Sequence, residues 1–210
     1  MLACSLAQTA PAQPILPEPG SRAEALVLLG NADPLQRAAA VVFLARTGLA
    51  TDGPLLAKRL ADDSPIVREL AESGIWQVWS RSGDAEADRM LAAGANQMGV
   101  GRLKEATETF TRVIRRSPGF AEGWNKRATA YYLAGDFKRS LADCAEVMKR
   151  NPHHFGALSG FGQIYFQLEE FDKSLEYFKR ALAVNPNMSG VEMNIQGIEE
   201  LVREKRRKMI

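Results

Sequence analysis

Phe120-Ala-Glu-Gly-Trp-Asn-Lys-Arg-Ala-Thr-Ala-Tyr-Tyr-Leu-Ala-Gly-Asp-Phe-Lys-Arg-Ser-Leu-Ala-Asp-Cys-Ala-Glu-Val-Met-Lys-Arg-Asn-Pro152 is the stretch whose reading decides the fold. It holds two helix-forming runs separated by Ala134-Gly135-Asp136 and closed by a proline. That proline is the middle one of three, Pro118, Pro152 and Pro186, evenly spaced along the chain. Other positions recur at the same interval: Leu103, Phe137 and Phe171; Ala106, Ser140 and Ser174; Phe110, Cys144 and Phe178; Gly94, Ala128 and Gly162. A fixed period of roughly 34 residues is the mark of a repeated helix–turn–helix, and stacked copies form a solenoid. Small residues at 94, 128 and 162 let the second helix of each unit approach the first, and large ones fill the remaining gaps.

Trp124, Ala128, Tyr131, Gly135, Phe137, Ser140, Val147 and Pro152 stand at the signature positions of a tetratricopeptide repeat (TPR), and the chain resembles that family here. Leu158, Gly162, Tyr165, Phe171, Ser174, Phe178, Ala181 and Pro186 repeat the match. Met90, Gly94, Leu103, Ala106, Phe110, Val113 and Pro118 give a weaker first copy. The resemblance covers about half of the chain and implies an all-α, right-handed helical-hairpin solenoid, with units at about 84–118, 119–152 and 153–187. Runs such as Phe120–Ala128, His154–Gly162 and Ile75–Gly83 look like a TPR subgroup of bacterial and plastid-bearing lineages. That subgroup has no well-defined activity, so the likeness bears on fold and not on function. Only the third turn, Leu168-Glu169-Glu170, lacks glycine, and its backbone is expected to avoid positive φ.

Working outward, residues 21–83 are helical on another, slightly shorter rhythm. Asp33-Pro34-Leu-Gln-Arg37 and Ser64-Pro65-Ile-Val-Arg68 match position for position, each offering an N-cap followed by a proline in the first helical position. One intervening helix is expected over Asp52–Leu60. The Asp-Pro-x-x-Arg opening resembles HEAT-type repeats; an ordinary helical subdomain reusing the same caps is the other reading. The HEAT-like part is expected to run on into the three TPR units. Residues 188–210 read as an amphipathic capping helix, apolar at Val191, Ile195, Ile198, Leu201 and Val202, with a Glu199–Arg203 pair and a basic end, Arg203 to Lys208.

Residues 1–20 carry four prolines and read as a disordered leader or the end of an export signal. Ala10-Pro11-Ala12 and Ser5-Leu6-Ala7 have the small-x-small form of a cleavage site, but a charged start and a long apolar core are missing. The first reading leaves the protein cytoplasmic and the second exports it to a bacterial periplasm. Met1-Leu2-Ala3-Cys4 only faintly resembles a lipoprotein box. No stretch reaches the roughly 18 apolar residues that would span a membrane.

Composition excludes little: 210 residues, 46% apolar, 25% charged and a net charge of +2 carry no strong nucleic-acid signal. Cys4 and Cys144 form no disulfide framework, and Cys144 reads as a small buried hydrophobe. Tests for catalysis fail. Gly99-Val-Gly101 lacks the third glycine of a nucleotide loop, and Gly156-Ala-Leu-Ser159-Gly160 has its serine off the nucleophile spacing. His153 and His154, the two histidines, have no neighbouring acid or cysteine to share a metal ion. No catalytic, cofactor or metal residue and no small-molecule substrate is expected.

Binding is the better reading. In TPR proteins the first, or A, helices line a concave groove. Projected here, that face carries Asp88, Leu91, Ala95 and Met98, then Glu122, Asn125, Thr129 and Tyr132, then Gly156, Ser159, Gln163 and Phe166. Met98, Tyr132 and Phe166 would form an apolar ladder beside amide and hydroxyl groups, which suits a peptide or protein partner. Alternatively those three side chains pack inside the array. The family's clamp for Hsp90 and Hsp70 tails places Lys and Asn on the first A helix and Lys and Arg on the third. Leu91, Ala95, Ser159 and Gln163 stand there, so those tails are not expected partners. Two rivals stay open: an assembly subunit holding a permanent partner on its N-terminal helices, which exposed Trp76 and Trp79 would favour, and nucleic-acid or anionic-surface binding by the basic tail.

Overall fold

The computed structural model describes residues 17–208. Helix α1 (Arg22–Leu28) starts at Ser21, whose Oγ accepts the Glu24 N–H at 3.2 Å. Helix α2 (Pro34–Thr47) starts at Asp33, whose carboxylate accepts the Leu35 N–H at 2.9 Å. The segment expected as one helix over 52–60 is three pieces: a 3₁₀ turn at Ala50–Asp52, α3 (Gly53–Ala57) and a second 3₁₀ turn at Lys58–Ala61. Pro54 removes a backbone donor at the start of a segment too short to propagate a helix, and such segments tighten into 3₁₀. Helix α4 (Pro65–Trp79) opens like α2, but the Ser64 side chain makes no cap; Asp62 instead accepts the Ser64 N–H at 3.0 Å.

The two matching arginines do the same job. Arg37 Nη1 donates to the carbonyls of Asn31 and Ala32, both at 2.9 Å, and Arg68 Nη1 donates to those of Asp62 and Asp63 at 2.7 and 3.2 Å. Each ties the loop before its helix to the helix's first turn. Arg37 also grips buried Asp62 through Nε and Nη2 at 3.0 and 2.7 Å. Burial pushes the Asp62 carboxyl up, but the Arg37 and Ser64 hydrogen bonds outweigh it and hold the group below its ordinary value. Residues 17–20 lie on α2, with Pro19 buried and Glu18 paired to Arg46. Cys4 and both cleavage-site readings fall outside the described residues.

Three hairpins follow: α5 (Ala85–Gly99) with α6 (Leu103–Arg116), α7 (Ala121–Leu133) with α8 (Phe137–Arg150), and α9 (Phe155–Gln167) with α10 (Phe171–Val184). Within the first and third, a glycine on the A helix meets a phenylalanine on the B helix. A Cβ built on Gly162 would lie 2.6 Å from the Phe178 ring, and Gly94 meets Phe110 in the same way. In the middle hairpin Ala128 and Cys144 share the core, and burial lifts the Cys144 thiol to about 12. Ser140 Oγ donates to the Ala128 carbonyl at 2.8 Å and Ser174 Oγ to the Gly162 carbonyl at 2.7 Å, the same bond one repeat apart. Gly101 and Gly135 turn between helices at φ of 78° and 74°. Glu169 takes the same conformation at φ 57°, so the expectation for the third turn is corrected: the hairpin imposes the left-handed residue whether or not it is glycine. Helix α11 (Ser189–Lys208) packs Val191, Ile195 and Ile198 on Phe178. The expected Glu199–Arg203 pair is replaced: Glu199 reaches Lys179 on α10 at 3.0 Å, and Arg203 donates to the Glu199 carbonyl.

The N-terminal helices do not simply extend the stack. α4 lies against the start of α9, with Trp76 and Trp79 on Phe155 at ring separations of 5.1 Å each. Val184 and Met188 join the same core. Asn185 Nδ2 donates to Glu72 at 3.1 Å and Asn187 Nδ2 to the Leu60 carbonyl at 2.8 Å. The unit is folded back across the loops that join successive repeats. No described helix is long and apolar enough to cross a membrane.

Candidate binding groove

The A helices α5, α7 and α9 start at the same end of the array, and α11 stands where a fourth would be. Ser189 follows Phe155 by one repeat interval, so Met193 repeats the place of Ser159 and Gly197 that of Gln163.

At the starting end the groove is filled from within. A Cβ on Gly156 would come within 2.6 Å of the Trp76 ring, so only glycine lets the indole sit on α9. Trp79 stacks on His154, centroids 4.2 Å apart and 17° from parallel. His154 Nδ1 accepts the Ala157 N–H at 3.0 Å, which leaves Nε2 to donate to Glu122 at 3.0 Å. Both side chains are buried, Glu122 at 1% exposure, and Asn125 and Lys126 satisfy the other carboxylate positions at 3.2 Å. Burial alone would raise the Glu122 pKa, but the His154 hydrogen bond and the charges of His154 and Lys126 carry it below its ordinary value. The expectation that His154 has no acidic neighbour is thereby corrected: its acid lies on the preceding A helix, nearly one repeat back.

Away from Trp76 the groove is open. Tyr132, Gln163, Phe166, Met193, Asn194, Gly197, Ile198 and Leu201 surround a cleft of about 610 Å³. A narrower recess of about 150 Å³ continues between Asn125, Thr129, Ser159 and Met188. Phe166 is 40% and Met193 66% exposed.

The projected residues therefore separate by repeat. Leu91 is buried and Met98 packs beside it in the first hairpin's core, while Asp88 accepts the Ser82 N–H and Oγ–H at 2.7 and 2.6 Å. Glu122 is buried in the joint with the N-terminal helices, and Asn125, bonded to it at 3.2 Å, is buried beside it at the edge of the narrow recess. Thr129, Tyr132, Ser159, Gln163 and Phe166 line open space. Met193, Asn194, Gly197 and Leu201 lie outside the projected face, because α11 reads in the sequence as a cap alone. The signal for them is the repeat interval extended once more. Trp76 and Trp79 are not an exposed surface; they are spent on the array. Asp143 on α8 is held by Arg127 Nε and Nη2 at 2.7 and 2.8 Å. Among the described residues no three His, Cys, Asp or Glu side chains group to hold a metal ion.

The tetratricopeptide repeat family matches at residues 91–148 and again at 157–188. A TPR repeat-containing protein of Rhizobium etli is 30% identical over 108 residues, which is 51% of this chain and 53% of that protein. Hsp70-Hsp90 organizing protein 1 of Glycine max is 26% identical over 121 residues, covering 56% of this chain and 21% of that one. The chain thus spans about half of the first relative and a fifth of the second. Among solved structures, the first TPR of Spaghetti (RPAP3) bound to the HSP90 peptide SRMEEVD superposes with a TM-score of 0.55 at 21% identity, over 57% of this chain and 96% of that one. The Arabidopsis OM64 TPR domain gives 0.53 at 17% identity, over 55% and 95%. At those identities the likeness is one of fold.

Proposed function

We propose that the chain, whose residues 91–148 and 157–188 carry tetratricopeptide repeats, is a protein–protein interaction module that holds a segment of a partner in the open part of its concave groove. The observation that carries this is the apolar cleft of about 610 Å³ between α7, α9 and α11, with Tyr132, Phe166 and Met193 on its walls. Those side chains supply anchors, and the Gln163 and Asn194 amides supply uncharged partners for a peptide backbone. Relatives and neighbours whose names include Hsp70, Hsp90 or their peptides support protein binding in general. The acidic tail itself does not suit this groove, whose open part is lined by no lysine or arginine among the described residues.

The test compares partner recovery by the wild type with that by a Tyr132→Ala/Phe166→Ala double variant of equal helicity. Loss of the same protein from the variant, with SRMEEVD peptide failing to compete, supports the reading. Equal recovery by both proteins ends it.

A further inference from the structure

The two ends of the groove differ, and the difference constrains what can lie in it. One end is stopped by Trp76, seated on Gly156. At the other, Glu200 follows Phe166 by one repeat interval and so takes on α11 the place that Phe166 takes on α9. From Gly190 to Glu200 the helix rises about 15 Å. Glu200 is exposed and has no ion-pair partner among the described residues. No cation among the described residues lines the cleft between the two ends, and Lys126, one turn before Ala130 on α7, is turned to Glu122 at 3.2 Å. An acidic segment would therefore find no opposite charge on the cleft walls and would meet the Glu200 carboxylate, one turn before Arg203, where it leaves them.

The floor has a second feature. Gly197 lies in the middle of α11, where glycine weakens a helix, and no atom approaches within 4 Å of the place its Cβ would occupy. Gly94, Gly156 and Gly162 are each explained by an aromatic ring pressed on them. Gly197 has no such ring, and it leaves the α11 backbone open to close approach from the cleft.

Resting on the groove as the binding surface, we propose that its occupant is an apolar segment of a partner protein that stops against Trp76 and carries a lysine or arginine where it leaves beside Glu200. Its apolar side chains lie between Tyr132, Phe166 and Met193, and its backbone passes over Gly197. The sign is opposite to that of the SRMEEVD peptide bound by the structural neighbour.

The test is selection of a phage-displayed random peptide library on the intact protein, in parallel with Glu200→Lys and Tyr132→Ala/Phe166→Ala. The expected outcome is a set of apolar peptides with Lys or Arg at one end, lost on the double variant and weakened about tenfold by Glu200→Lys. Their affinity falls in about 1 M salt, where charges are screened beyond about 3 Å. Gly197→Leu blocks them while leaving the helix content intact. Groove-dependent peptides that are neutral or acidic, or that ignore Glu200→Lys, overturn the charge assignment and leave the groove standing. Peptides that bind the double variant equally well, or no enrichment at all, overturn both.

Discussion

The helices before Ser82 and the repeats after Gly83 solve the same packing problem with different chemistry. In the N-terminal unit, charged side chains tie loops to helices: Arg37 and Arg68 each hold two loop carbonyls, and Arg37 also holds buried Asp62. In the array the ties that recur from repeat to repeat are neutral: Ser140 and Ser174 bond the facing A-helix carbonyls, and Gly94 and Gly162 let phenylalanines seat on bare backbone, whereas charged pairs such as Arg127–Asp143 occur once. A neutral contact repeated from unit to unit propagates along a stack, because every unit presents its neighbour with the same surface. The charged staples serve only the loops before α2 and α4 and propagate nothing. The regions meet at an aromatic cluster flanked by the Asn185–Glu72 and Asn187–Leu60 hydrogen bonds, and the joint also decides how much of the groove stays open.

The strongest way to break this comparison is to remove the joint. Trp79 is 4% exposed, stacked on His154 and set against Phe155. Trp79→Ala should cost about 3–5 kcal/mol, as for other buried large-to-small changes. If the two regions are independent in chemistry and joined only here, denaturation of the variant separates into two transitions. A single transition shifted as a whole would mean that coupling runs through other contacts, such as Asn185–Glu72 and Asn187–Leu60.

How much of this was legible in the sequence follows the same division. The array was legible because each hairpin repeats one set of local contacts at one interval: Gly162 with Phe178 and Ser174, Gly94 with Phe110. The correspondence of Arg37 with Arg68 was legible for the same reason, though not the loop carbonyls that each one holds. The joint was not. Trp76 meets Phe155 and Glu72 meets Asn185 across separations that no period links, and in the sequence the indole of Trp76 simply looks like a core residue of its own helix. The candidate site inherited that blindness. Glu122 sits at a groove position by periodicity, yet it is buried against His154, on which Trp79 of a distant helix stacks. Met193 and Gly197 look like part of a polar cap until α11 is seen to stand in the place of another A helix.

Gly156 and Gly160, one turn apart on α9, sharpen the comparison. A Cβ at Gly156 would press on Trp76 at 2.6 Å, whereas one at Gly160 would make an ordinary contact of 3.6 Å with Cys144 Sγ. Gly156→Ala should therefore destabilise by about 1–3 kcal/mol through overpacking of the joint. Gly160→Ala should instead stabilise by about 0.5–1 kcal/mol through helix propensity. Urea midpoints of the two variants give opposite signs if the joint is a close-packed seam. Like signs would mean that Trp76 moves away at little cost.

Acid should loosen the joint through Glu122. The Glu122 pKa is depressed: burial opposes the charge, but His154 and Lys126 more than offset it. The unfolded carboxyl titrates near its ordinary value, about 4.3. Stability from this group is therefore complete above that value and is lost as pH falls through the lower folded pKa. Glu122→Gln should lower stability at neutral pH and flatten its dependence on pH in the acid limb. Denaturation curves at a series of pH values test this, and wild-type and variant profiles that run parallel would remove Glu122 from the account.

The smallest effect concerns the array alone. Its three A-to-B turns share one backbone shape, with Gly101 and Gly135 at φ 78° and 74° and Glu169 at 57°. An L-residue in that region carries a cost of about 1–2 kcal/mol that glycine escapes. The Glu169 side chain recovers part of it through Lys205 at 3.0 Å, but the pair is exposed and worth at most about 1 kcal/mol. Glu169→Gly should thus stabilise the third hairpin by a few tenths to about 1 kcal/mol, whereas Gly135→Glu should destabilise the second by more, since it adds the strain without a partner. If the repeats are equivalent in backbone and differ only in side chains, the two substitutions have opposite signs. A destabilising Glu169→Gly would show that the contact with Lys205 on α11, and not the shared turn, sets the conformation of the third hairpin.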